Sequence, residues 1–204
     1  MMIQGVSVGE MVNQSINVLT KPSIATFEQY ERRGGQREAL IYVGTAAAIG
    51  AAIALLAGVF TIGVVGGIVT GIFAGILPVA VFFLAATVIH RVGTSQGGTG
   101  SQDEVFYTIA LYQAPILAIS GVIGNIPLLS CLAAPLTFGL SLYGIYLGYL
   151  AVRSSMNLDQ NKAIITMVVS WVVQMIVIFL IGAIVGVILA AVGAVPAGIV
   201  PPTP

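Results

Sequence analysis

The chain has 204 residues, of which 58% are hydrophobic and only 7% charged, and its formal net charge is zero. Soluble domains carry about 25% charged residues, so this chain has too little polar surface to face water over most of its length. Zero net charge argues against the basic footprint of a nucleic-acid-binding protein. The apolar runs are continuous rather than alternating, which selects an all-α, polytopic membrane protein over a β-barrel.

The first 20 residues lack a basic start and an apolar core, so no cleavable signal peptide is expected. Ser7 and Glu10 have the spacing of a capping box. Behind them Val8, Met11, Val12, Ile16 and Leu19 recur at helical spacing, with Glu10, Asn13, Gln14 and Asn17 on the other face. A second short helix is predicted over Ser23 to Arg33, closed by Gly34 and Gly35. This segment, residues 1–37, is too polar to span. It reads either as an ordered entry to the first span or as a surface for lipid or a partner. Met11, Ile16, Phe27, Arg32, Arg33 and Arg37 are the candidates for that contact.

Two blocks without formal charge follow, Ala39 to Ile89 with 51 residues and Val105 to Val152 with 48. A helix needs about 20 residues to cross ~30 Å of hydrocarbon, so each block fits two crossings. The first span runs from about Ala39 to Phe60, and a turn near Thr61 to Gly67 returns the chain. Gly63, Gly67, Gly71 and Gly75 fall every four residues and would line one face of the second helix. Close helix packing is the ordinary use of such a stripe, and lining a solute path is the alternative. A kink is predicted at Pro78. The single histidine, His90, beside Arg91 reads as an interfacial anchor rather than a metal ligand.

The loop Gly93 to Ser101 lacks the Gly-Lys-Ser/Thr ending of a phosphate-binding loop and reads as a flexible connection. Asp103 and Glu104 open the third span, where negative charge complements the exposed amides of a helix N-terminus. This span carries Tyr112, Gln113 and Pro115, and Asn125 lies in the following turn. The fourth span, about Leu128 to Val152, contains Gly144 and Gly148 as a packing pair. Its Tyr143, Tyr146 and Tyr149 read as an interfacial belt, or else as an interhelix hydrogen-bond ladder. The fifth span starts at Ala163 and carries Trp171, Gln174 and the pair Gly182 and Gly186.

The transmembrane domain is thus expected over 38–192, with five helices, and residues 193–204 form a short proline-rich tail. With five spans all seven lysines and arginines fall on one side. The positive-inside rule then puts the N-terminus in the cytoplasm and the C-terminus outside.

Several weak motifs occur in a telling order. Leu19 to Ser23 with Phe27 precede the first span, and Gly97, Gly98, Gly100 and Ser101 fill the polar loop. Tyr112 and Pro115 stand in the third span; Tyr146 to Leu150, and then Asn161 to Ala163, lie before the fifth. In these the chain resembles the Yip family, the five-span proteins named in eukaryotes as Rab-GTPase-interacting factors, and particularly its short prokaryotic type. The resemblance covers about Leu19 to Ile178. It implies the fold and a non-enzymatic role as a membrane-organising scaffold or as an accessory subunit, in a prokaryotic (bacterial) inner membrane. The chain lacks the family's long cytoplasmic N-terminal region and its Asp-Leu-Tyr-Gly-Pro element, which argues against a Rab-type GTPase partner.

No catalytic, cofactor or metal site is expected. Ser120, Ser141 and Ser170 have no histidine within a span to serve them as base. The expected partners are membrane lipid and other membrane-protein subunits. The competing reading is a transporter or channel. Intramembrane charges usually mark ion paths and this chain has none, so its solute would be small and neutral, using Gln113, Asn125 and Gln174.

Overall fold

A computed structural model describes residues 5–125 and 130–191, with side chains described for 5–124, 134–184, 186 and 187. The expected tail, 193–204, lies outside the described residues. Six helices follow in order: α1 (Val8–Thr20), α2 (Ile24–Glu28), α3 (Gln36–Ser95), α4 (Gln102–Asn125), α5 (Ser130–Met156) and α6 (Gln160–Ala191). Four of them, α3 to α6, are long and apolar enough to cross a membrane. The protein is an all-α, multi-pass integral membrane protein.

α3 has 60 residues, but it is not one rod. Gly63 sits at φ 82°, ψ 172°, a left-handed backbone that side chains disfavour, and there the helix folds back on itself. The two limbs, 36–62 and 64–95, then pack antiparallel. A Cβ built on Gly67 would stand 2.5 Å from the Val59 amide nitrogen, and one on Gly71 2.7 Å from Leu55 Cβ. One on Gly75 would stand 3.3 Å from Ala51 Cβ. The limbs touch backbone to backbone because these positions have no side chain. The turn lies within the stretch expected for it, yet takes a single residue. Pro78 sits inside a continuous helical limb, and Gly63 is the non-helical residue of α3.

α4 is the centre of the bundle: 44% of its most apolar window is buried, against 11% for α6. Its Phe106 meets Phe82 edge-on at 5.6 Å and Phe83 at 5.4 Å. The core gathers at the charged end of the bundle, where Ile89, Ile109, Leu147 and Met156 are buried together with Phe27 and Val18. α3 and α4 also approach closely at Gly50 and Gly121, where a Cβ on Gly121 would be 3.3 Å from the Gly50 Cα.

Candidate functional site

Two regions concentrate polar groups in an otherwise apolar molecule: a cap at the charged end and a cleft inside the helices.

The cap begins with α1. Ser7 Oγ accepts from the Glu10 amide, and the Glu10 carboxylate accepts from the Ser7 amide at 2.9 Å, completing the capping box. These hydrogen bonds hold the Glu10 carboxyl below its usual pKa. The buried face of α1 is Met11, Gln14, Ser15 and Val18, while Val12 and Ile16 stay 42% and 54% exposed. That face is rotated from the one the apolar periodicity suggests. The reason is a set of tyrosines waiting beneath it. Tyr107 Oη donates to Gln14 Oε1 at 2.7 Å, and Tyr42 Oη donates to Ser15 Oγ at 2.9 Å. Asn17 Nδ2 donates to Tyr30 Oη at 2.6 Å, and Tyr143 Oη donates to the Leu19 carbonyl at 2.6 Å. Buried polar groups are tolerated when paired in this way.

Met11 and Phe27, expected on a contact surface, are therefore core residues, 1% and 0% exposed. Ile16, Arg32, Arg33 and Arg37 are exposed. Arg32 Nε reaches Glu104 Oε1 at 3.0 Å, and Arg33 lies 5.6 Å over the Tyr30 ring. The second helix is shorter than expected, five residues, and residues 29–32 continue as turns. Glu31 in that turn is buried and accepts from Ser154 Oγ at 2.9 Å; desolvation raises its pKa above the usual carboxylate value.

The loop after α3 is not a loose connection. Thr99 donates its amide to the Met156 carbonyl at 3.1 Å, and a Cβ on Gly100 would collide with the Ser155 carbonyl. Asp103 stands in the first turn of its own helix as expected, and it also accepts the Gln36 amide at 2.9 Å at the start of α3. Tyr143 belongs to an interhelix hydrogen bond, Tyr149 accepts from Arg153 at 3.0 Å, and Tyr146 is exposed.

The cleft lies between the second limb of α3 and helices α4, α5 and α6, with a volume of about 300 Å³. Tyr112, Gln113 and Gln174, three separate intramembrane polar residues in the sequence, line it together with Ser170 and Trp171. Gly144 lines it too, its Cα open apart from Ile116 at 3.5 Å from a built Cβ. The fourth polar candidate, Asn125, has its side chain outside the described residues. Gly148 packs under Met167 and the Tyr112 hydroxyl, 2.7 and 2.9 Å from a built Cβ. A Cβ on Gly63, Gly182 or Gly186 would meet nothing within 4 Å among the described residues.

Among the described residues no three His, Cys, Asp or Glu side chains come together to hold a metal. A family model described as the Yip1 domain matches residues 16–182, most of the chain. The chain belongs to the Yip1 domain family. No curated protein and no solved structure matches it. The Yip1 domain match starts within α1, after Gln14 and Ser15, and ends within α6, so it takes in the whole cleft and the cap only from Ile16 onward.

Proposed function

We propose that this Yip1 domain protein is a membrane-organising scaffold or an accessory subunit of a larger membrane assembly. The observation that carries the reading is the contrast between its two parts. The cap is fixed by hydrogen bonds between four tyrosines and α1, which makes a rigid platform. α6, the most apolar helix, is nearly unburied, with Val168, Phe179 and Ile184 at 55%, 77% and 60% exposure. A rigid platform with long free helix faces suits assembly with other membrane subunits better than turnover.

The arrangement proposed is five crossings with the N-terminus cytoplasmic and the C-terminus outside, in a prokaryotic inner membrane. Its support is that the limbs of α3 lie antiparallel and, at 1.5 Å per residue, are each about 40–50 Å long. All seven lysines and arginines then share one side. The partners proposed are membrane lipid and integral membrane subunits, and no Rab-type GTPase. Photo-crosslinkers at Val168 and Phe179 in native membranes should yield discrete protein adducts. Adducts to lipid alone would end the scaffold reading. The second reading, passage of a small neutral solute, draws on the uncharged cleft. Solute flux into liposomes holding purified protein would favour it.

A further inference from the structure

We propose that the cleft among α3, α4, α5 and α6 binds the head of a neutral membrane-soluble amphiphile that carries a hydroxyl or carbonyl group. The inference does not depend on the scaffold reading.

The first observation is unmet hydrogen bonding at depth. Ser170 is 1% exposed and its Oγ has no hydrogen-bond partner. Tyr112 Oη and the Gln113 amide also make no hydrogen bond among the described residues, though both line the same space. Gln174 donates from Nε2 to the Ser170 carbonyl at 3.2 Å, which leaves its Oε1 free to accept. At 1.5 Å per residue, Gln113 lies about 16 Å and Gln174 about 21 Å from the charged ends of their helices. Lipid offers nothing to pair with there, so a site with free donors and acceptors favours an occupant that supplies both.

The second observation fixes the ligand class. The cleft is lined without a charged side chain, so an ionised head would enter unpaired, and the head must be neutral. A volume of about 300 Å³ suits a small ring or a short branched head. Beside it, a wholly apolar groove of about 160 Å³ runs between α5 and α6, and the two spaces share Ile145, Met167 and Trp171. A polar cleft opening onto an apolar groove has the shape of an amphiphile, head inside and chain along α6. A water-soluble solute would make no use of the groove.

Trp171, the only tryptophan, stands where the two spaces meet and reports on both. The test uses the full chain in lipid nanodiscs, with 2-bromodecan-1-ol and 2-bromodecane as heavy-atom quenchers at matched membrane mole fractions. The alcohol should quench Trp171 saturably, and excess decan-1-ol should restore the fluorescence. The bromoalkane should quench only in linear proportion to its membrane concentration. Gln113→Leu and Ser170→Ala should raise the half-saturating alcohol concentration tenfold or more. The decanol competition needs no variant, so it decides even if a substitution misfolds. Linear quenching by both probes without relief by decanol means bilayer partition and overturns the site. Equal saturable quenching by both means an apolar groove without head recognition and overturns the ligand class. Unchanged half-saturation in folded variants puts the alcohol elsewhere and overturns the assignment.

Discussion

Tyr107 Oη donates to Gln14 Oε1 at 2.7 Å across 93 residues of sequence, joining the amphipathic first helix to the most buried membrane helix. The Tyr107 ring is itself fully buried, and a Cβ on Gly34 would collide with it. The phenol is therefore held on both sides.

Tyr107→Phe keeps the ring and deletes the donor. Gln14 is 8% exposed, so its carbonyl is left largely without water. An unpaired buried group costs about 1–3 kcal/mol, with the lower half of that range expected here because Gln14 is not fully sealed. Thermal unfolding in mild detergent should show the loss. Hydrogen exchange should speed up first in α1. An unchanged melting temperature would mean the bond contributes nothing.

The hairpin of α3 makes a sharper comparison. Gly67→Ala puts a methyl against the Val59 backbone, which cannot move aside as a flexible side chain can. Overpacking of this kind costs about 1–3 kcal/mol. Gly182→Ala meets nothing within 4 Å among the described residues and gains helix propensity of roughly 0.5–1 kcal/mol. The two should move the melting temperature in opposite directions, and equal effects would remove Gly67 from a tight interface.

Much of the fold was legible because continuous apolar runs bounded by charge have few solutions in lipid. The fold-back inside α3 at Gly63 falls within the glycine-rich stretch Thr61 to Gly67, where the sequence predicts a turn. The orientation of α1 was not legible. Gln14 and Ser15 face inward only because Tyr107 and Tyr42 lie beneath them, and no local period reports partners 93 and 27 residues away. The 93–101 loop misled for a similar reason: its glycines read as freedom, but they admit Met156 and Ser155 at contact distance. In the cleft, Tyr112, Gln113 and Gln174 stand out in the sequence as polar residues at depth, whereas Ser170 in sequence alone is a hydroxyl without a base, and its place in the cleft follows from packing.

Glu31 predicts a dependence on pH. Its pKa is raised above 4.5, chiefly by desolvation, with the Ser154 hydrogen bond opposing. The folded state thus holds its proton more tightly than the unfolded chain does. In the window from about 4.5 up to the raised value, stability contributed by this group falls as pH rises. Glu31→Gln retains an acceptor for Ser154 without the charge. It should melt at or above the wild-type temperature at neutral pH and flatten the slope in that window. An identical slope in both proteins would show that Glu31 is not the titrating group.

Topology can be read with reporter fusions after Thr61, Gly100, Gly124 and Ser155. Five crossings with a cytoplasmic N-terminus require outside, inside, outside, inside. An inside signal at Gly124 would be incompatible with that arrangement.

Removing residues 1–20 tests whether the cap belongs to the core. The deletion takes away Met11 and Val18, each worth about 1.5–3 kcal/mol of burial, and both are essentially unexposed. It also strips partners from Tyr30, Tyr42, Tyr107 and Tyr143, at about 1 kcal/mol for each hydrogen bond. Phe27 would remain on a surface that α1 no longer covers. These losses outweigh the entropy regained by freeing a short helix, so the truncated chain should melt well below the full one and accumulate poorly in membranes. Restoring residues 1–20 as a separate peptide should recover part of the stability, because the tyrosine sites persist on the helices. A truncated protein with unchanged melting would make α1 an appendage, whose exposed Val12 and Ile16 would then be all it offers.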